Sequence, residues 1–163
     1  MHKDLPDLRT PSRTPVHGLR RLVLAAAFVA GGLASHAALA ATLDDALSAA
    51  SMGDAKELVS LIQRGLDPDT VDAQGNTLLI LAAREGHTAA VEALAKNRAR
   101  LDYRNPAGDS ALMLAVLRGH EDVARALIKA GAVVAHDGWA PLHYAAFEGR
   151  DELIADILAA GAD

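Results

Sequence analysis

The sequence predicts an all-α fold, a short helical solenoid of about four units, for everything after residue 42. Three observations predict it. Gly53, Gly86, Gly119 and Gly149 recur at separations of 33, 33 and 30, and Gly75, Gly108 and Gly138 repeat the same last two intervals. The chain is 51% hydrophobic but only 3% aromatic, so its apolar content is mostly Ala, Leu, Val and Ile, which suits closely packed helices better than a sheet. Within each period the apolar residues fall at i, i+3, i+4 spacing, one face of a helix.

The first forty residues read as an address. Residues 2–18 are polar and carry Pro6, Pro11 and Pro15; Arg20-Arg21 then meets an apolar run from Leu22 to Leu33. Ala38-Leu39-Ala40 follows, with small residues placed as an export peptidase requires. This order predicts a secretory signal peptide over 1–40 with cleavage after Ala40, and a periplasmic or secreted mature chain. The other reading is an uncleaved anchor in the inner membrane. The run falls short of the roughly 20 apolar residues a bilayer needs, and Gly31, Gly32 and Ser35 weaken it. Arg20-Arg21 resembles a twin-arginine signal, but its flanks (Leu19, Leu22, Val23) fit poorly, and ordinary secretion is expected.

Residues 41–163 form the repeat domain, with units at about 42–71, 72–104, 105–137 and 138–163. The first unit is degenerate: Ala46, Ala49 and Ala50, then Leu58, Leu61 and Ile62. The second shows the logic. Thr77 can cap a helix whose Leu79, Ala82 and Ala83 share a face; Gly86 breaks it; Val91, Leu94 and Ala95 mark a second helix. The third repeats this with Leu112, Ala115 and Val116, then Val123, Leu127 and Ile128. The fourth has Leu142, Ala145 and Ala146, then Ile154, Ile157 and Leu158. Paired alanines let helix axes approach toward the low end of about 8–10 Å, and no unit can bury its faces without a neighbour.

These residues resemble the ankyrin repeat over about 43–163. Gly138-Trp139-Ala140-Pro141-Leu142-His143-Tyr144-Ala145-Ala146-Phe147-Glu148-Gly149 follows the family pattern closely, with Ala140 in place of its Thr. Gly75-Asn76-Thr77, Ala82-Ala83 and Gly86-His87 match in unit two, where Leu78 and Ile80 replace Pro and His; Gly108, Ser110, Leu112, Ala115, Gly119-His120 and Gly131-Ala132 match in unit three. The resemblance implies helix pairs joined by projecting hairpin loops, and inter-repeat hydrogen bonding by His143. Three departures stand out. The loop from Ala132 to Gly138 is three residues shorter than its counterpart from Ala99 to Gly108. Arg98 stands where the family has glycine. The sequence runs to Gly161-Ala162-Asp163 in repeat pattern without a polar cap, so the end face is expected to be covered by further residues, a partner or a second copy.

No chemistry is expected from this chain: no enzyme, no cofactor, no metal. It has no cysteine, which removes disulfides, zinc-thiolate sites and thiol catalysis. No paired-histidine, P-loop, dinucleotide or G-x-S-x-G pattern is present. His87 and His120 read as helix-start residues, Arg150 takes the equivalent place in unit four, and His136-Asp137 alone is a weak metal pair. Asp44-Asp45 and Asp67-Pro68-Asp69 read as caps and turns. A small hydrolase or metal-dependent enzyme on a helical scaffold is the alternative, and it would need convergent polar groups in one pocket. After residue 40 the chain carries 11 Lys/Arg against 19 Asp/Glu, which repels nucleic acid and anionic lipid.

The expected function is protein binding in a bacterial envelope, in line with bacterial ankyrin proteins of similar layout that assist or protect a stress-linked enzyme. The resemblance implies a concave surface of hairpin tips and first-helix ends: Ser51 and Met52; Ala73, Gln74, Asn76, Arg84 and Glu85; Pro106, Ala107, Asp109, Leu117 and Arg118; Trp139, Phe147 and Glu148. Interfaces concentrate Trp, Tyr and Arg at their energetic centre. The expected contact patch is therefore Arg84, Leu117, Arg118, Trp139 and Phe147, with Tyr103 and Arg104 at an adjacent fingertip. Alternatively, Trp139 covers the shortened loop and Phe147 packs between units. Self-association through the uncapped last repeat is also open.

Overall fold

The computed structural model describes residues 42–136 and 138–162. The expected signal peptide over 1–40 with its expected cleavage after Ala40, together with Ala41, Asp137 and Asp163, lies outside the described residues.

Among the described residues eight helices follow one another in pairs: α1 (42–52), α2 (Ala55–Gln63), α3 (Leu78–Arg84), α4 (Thr88–Lys96), α5 (Ala111–Arg118), α6 (Glu121–Ala130), α7 (Pro141–Phe147) and α8 (Asp151–Ala159). Among the described residues there is no strand; two isolated antiparallel bridges, Val71 to Thr77 and Arg104 to Ser110, close the loops before α3 and α5. The chain is thus a helical solenoid of the predicted class.

Local chemistry starts each first helix. The Thr77 hydroxyl accepts the Ile80 N–H at 3.3 Å, and the Ser110 hydroxyl accepts the Met113 N–H at 3.3 Å. Unit four has Ala140 at this place and no hydroxyl. There the His143 ring turns back, and its Nδ1 accepts the Ala140 N–H at 3.2 Å, while Pro141 occupies the first helical position. The resemblance implies inter-repeat bonding for His143; this bond lies inside its own unit and satisfies the N–H of Ala140, a different group from the one the Thr77 and Ser110 hydroxyls accept.

Packing runs strictly between neighbours. First helices stack as α3 on α5 and α5 on α7; second helices stack as α2, α4, α6 and α8. Small side chains line these contacts: Ala46, Ala50, Ala82, Ala83, Ala115, Val116 and Ala145 have no exposed surface. Leu58, Leu94, Leu127, Leu153 and Ile157 fill the layer between, and each fully buried side chain of this size contributes about 1.5–3 kcal/mol.

The last unit departs from expectation. The spacing places Ala146 and Leu158 toward the core, yet Ala146 is exposed and Leu158 is 48% exposed. Ala50, Ala83 and Val116, the equivalents of Ala146, are completely buried. The reason is positional: α7 and α8 have a neighbouring unit on one side only among the described residues. Arg98 also behaves as its departure from glycine foretells. Its φ is +65°, and it is the one non-glycine residue with positive φ among the described residues. Its counterparts Gly65, Gly131 and Gly161 adopt φ of +103°, +96° and +99° without strain.

Candidate protein-binding surface

The hairpins that precede α3 and α5 are rigid because short acidic and amide side chains satisfy their backbones. Asp72 accepts the Gln74 N–H at 2.9 Å and the Asn76 N–H at 2.8 Å through Oδ1, and the Asn76 amide at 2.9 Å through Oδ2. Burial alone would raise the Asp72 pKa, but these hydrogen bonds and the nearby Arg84 charge outweigh it and hold the carboxyl below its ordinary value. Asn76 Oδ1 in turn accepts the Asn105 amide at 2.9 Å, which links one hairpin to the next. Asn105 Oδ1 takes the N–H groups of Ala107 at 3.0 Å and Asp109 at 2.9 Å.

A second ladder ties the units at the opposite end of each loop. Asp69 Oδ1 accepts the Arg100 N–H and Asp102 Oδ1 accepts the Val133 N–H, both at 2.7 Å. Asp67 closes its own turn, accepting the Asp69 N–H at 2.9 Å and the Thr70 hydroxyl at 2.7 Å. These carboxylates are hydrogen-bonded turn and joint residues, which leaves them committed to architecture.

The seven candidate contact residues divide into two groups. Arg84, the last residue of α3, donates from Nε to Glu85 at 2.9 Å. Leu117 is partly buried against the core. Tyr103 is partly buried, with the Arg100 guanidinium 5.7 Å from its ring centroid. Arg104 is partly buried, and its Nη2 has no protein partner. These four are partly buried. Arg118 at the end of α5 is exposed, Trp139 is 57% exposed and Phe147 is 75% exposed. These three face solvent.

The geometry links them through residues the expected patch omitted. Ser51, Arg84, Leu117 and Phe147 occupy equivalent places at the ends of α1, α3, α5 and α7, so the stacked first helices present them as a row. The Trp139 ring lies 5.9 Å from His143, and His143 precedes Phe147 by one helical turn, which carries the exposed strip along α7. On its other neighbour, the Trp139 ring lies 5.3 Å from Tyr144 at 55°, and the Tyr144 hydroxyl reaches Asp109 at a long 3.5 Å. Burial and the Asp109 charge raise the Tyr144 pKa, so the phenol stays neutral and donates. The i, i+4 spacing of His143 and Phe147 was present in the sequence as a signal for this strip, whereas Trp139 precedes the N-cap of α7 and joins it through its ring contact with His143.

An open groove of about 410 Å³ between α4 and α6 is lined by Glu92, Ala95, Lys96, Ala126, Lys129 and Ala130. It contains no serine, threonine or histidine. Among the described residues no three His, Asp or Glu side chains gather as a metal site would require, and no helix is long and apolar enough to cross a membrane.

The family model for ankyrin repeats, in three copies, matches residues 46–136 and 98–163. Comparison with curated proteins gives no match.

Proposed function

Given that the chain belongs to the ankyrin repeat family, whose repeats form protein–protein interaction modules, we propose that it is a non-enzymatic binding protein of the bacterial envelope. It engages its partner through the strip Trp139–His143–Phe147 with Arg118 alongside. The observation that carries this reading is the exposure of Trp139 and Phe147 in a chain whose aromatic content is only 3%. Rings packed into the solenoid would add to its stability; rings held in solvent are an interface anchor.

Location in the envelope rests on the sequence of residues 1–40 and on the secretory reading of that segment. A periplasmic partner, such as a stress-related enzyme that the repeat protein shields, suits an acidic domain without cysteine. Self-association through the exposed Ala146 and Leu158 is a further mode of the same module. A hydrolase reading would need a nucleophile and base converging in a pocket; the open groove between α4 and α6 offers Glu92, Lys96 and Lys129 but no serine, threonine or histidine.

The test is a pull-down from periplasmic extract with the wild-type chain and with Trp139→Ala/Phe147→Ala. Each anchor is expected to contribute about 2 kcal/mol, so each single change should cost about thirtyfold in affinity and the double variant several hundredfold, while its melting is unchanged. Unchanged partner recovery, or a large fall in melting, would overturn the surface assignment. Cell fractionation that leaves the chain in the cytoplasm would overturn the location.

A further inference from the structure

We propose that Trp139, Tyr144 and Asp109 together receive a basic side chain, arginine or lysine, from the partner. This inference rests on the binding reading above and names the chemistry of its anchor.

Trp139 and Tyr144 meet at 5.3 Å and 55°, so the two rings form a corner instead of a flat stack. More than half of Trp139 remains open to solvent. A cation held within about 6 Å of an indole centroid is attracted by the ring's negative face, and Trp is the strongest of the aromatic residues in this role. Asp109 stands next to the corner, tied to it through the Tyr144 hydroxyl. It occupies the same hairpin place, directly after the glycine, that Asn76 fills in unit two and Trp139 fills in unit four.

Asp109 is also positioned and unspent. Its backbone N–H is fixed by Asn105, so the loop that carries it is rigid. No ion pair neutralises its carboxylate among the described residues, in contrast with the paired carboxylates of Glu57, Glu85 and Asp156. Arg104 acts electrostatically on Tyr144 but makes no ion pair with Asp109. An anionic group beside an exposed indole accommodates a guanidinium or ammonium, which can stack on the ring and hydrogen-bond the carboxylate at once. The excess of 19 acidic over 11 basic residues after residue 40 steers such a partner inward.

Trp139 is the only tryptophan of the chain, so its fluorescence reports on this corner alone. The experiment titrates a tetra-arginine peptide, acetylated and amidated at its ends, into the full chain, with the matching tetra-citrulline peptide as the neutral isostere. A saturable change in Trp139 emission is expected for the arginine peptide and not for citrulline. Asp109→Asn should weaken the arginine response about tenfold, Tyr144→Phe should weaken it less, and Glu92→Gln on the outer helices should leave it unchanged. Circular dichroism confirms that each variant is folded. Equal responses to the two peptides, or an undiminished response in Asp109→Asn, would overturn the inference. If the arginine peptide gives no saturable change while Trp139→Ala still abolishes partner capture, the basic anchor falls and the binding surface stands; if both fail, both readings fall.

Discussion

The His120 ring reaches back across a unit boundary, its Nε2 donating to the Arg84 carbonyl oxygen at 3.0 Å. His87 makes the same bond to the Ser51 carbonyl at 2.9 Å. Each ring rests on a glycine of the preceding unit. A Cβ on Gly86 would come within 2.7 Å of the His120 ring, and one on Gly53 within 2.6 Å of His87. The acceptor carbonyls require a proton on Nε2, which fixes the tautomer. In unit four Arg150 lies over Gly119 instead, and its Nε is buried without a partner. We expect His120→Ala to cost about 1–2 kcal/mol, and Gly86→Ala about 2 kcal/mol or more, because φ is +84° there and the ring must also shift. Arg150→His should gain about 0.5–1.5 kcal/mol by restoring the bond to unit three. Urea denaturation measures all three, and a destabilised Arg150→His would refute the equivalence.

Arg98 offers a second stabilising change. The left-handed conformation costs a non-glycine residue about 1–2 kcal/mol, and glycine returns part of that through its looser unfolded chain. Arg98→Gly should therefore raise stability by about 0.5–1 kcal/mol. An unchanged or lower urea midpoint would show that the Arg98 side chain makes a compensating contribution.

The outer face of units three and four is joined by charge. Arg125 donates from Nε to Asp156 at 2.8 Å and from Nη2 to Glu152 at 3.2 Å, with Glu121 at 3.4 Å on its own helix. The hydrogen bond to Asp156 is the largest of the influences that raise its pKa. Because the Arg125 side chain is 40% exposed, salt screens this hub. Arg125→Gln should lower the melting temperature modestly at low ionic strength, and the difference from wild type should shrink at about 0.5 M salt. A difference independent of salt would mean that the arginine acts through packing.

His136 sets a pH dependence. Burial, then the Arg104 charge, lowers its pKa below the ordinary value, and this outweighs the opposing effects of Asp102 and Val133. The unfolded chain therefore takes up a proton at a higher pH than the folded one. The stability that His136 contributes is full above its unfolded pKa of about 6.5 and is lost as pH falls through the window below it. The urea midpoint should drop between about pH 7.5 and about pH 5.5, and His136→Gln should flatten the change. Equal slopes in the two proteins would place the titration elsewhere.

The helix pairs were legible because their signal is local. Ala82-Ala83 and Ala115-Val116 sit at fixed distances from their glycines, and any chain that stacks these units must bury them. The fate of Ala146 was not legible, because burial there depends on a neighbouring unit and not on the repeat pattern. The role of His143 escaped for a related reason. The pattern supplies a histidine, but its ring turns to the N–H of Ala140 in its own unit, a backbone partner that the spacing between units does not signal. Among the contact residues, Trp139, Phe147 and Arg118 were expected at the surface from the resemblance, with packing of Trp139 and Phe147 left as the alternative, and all three are exposed. Arg84 and Tyr103 were expected there too, but Glu85 and Arg100 claim them through side-chain geometry.

Contacts that reach only the adjacent unit have a bearing on how the molecule comes apart. The joint of α5 with α7 and α6 with α8 can open while α3 on α5 and α4 on α6 remain closed. Amide exchange should then follow burial, faster in α7, where Ala146 is exposed, than in α3 and α5, where Ala83 and Val116 are buried. Trp139 and Phe147 belong to one of the units at that joint, so a ligand clasped there also holds the joint closed.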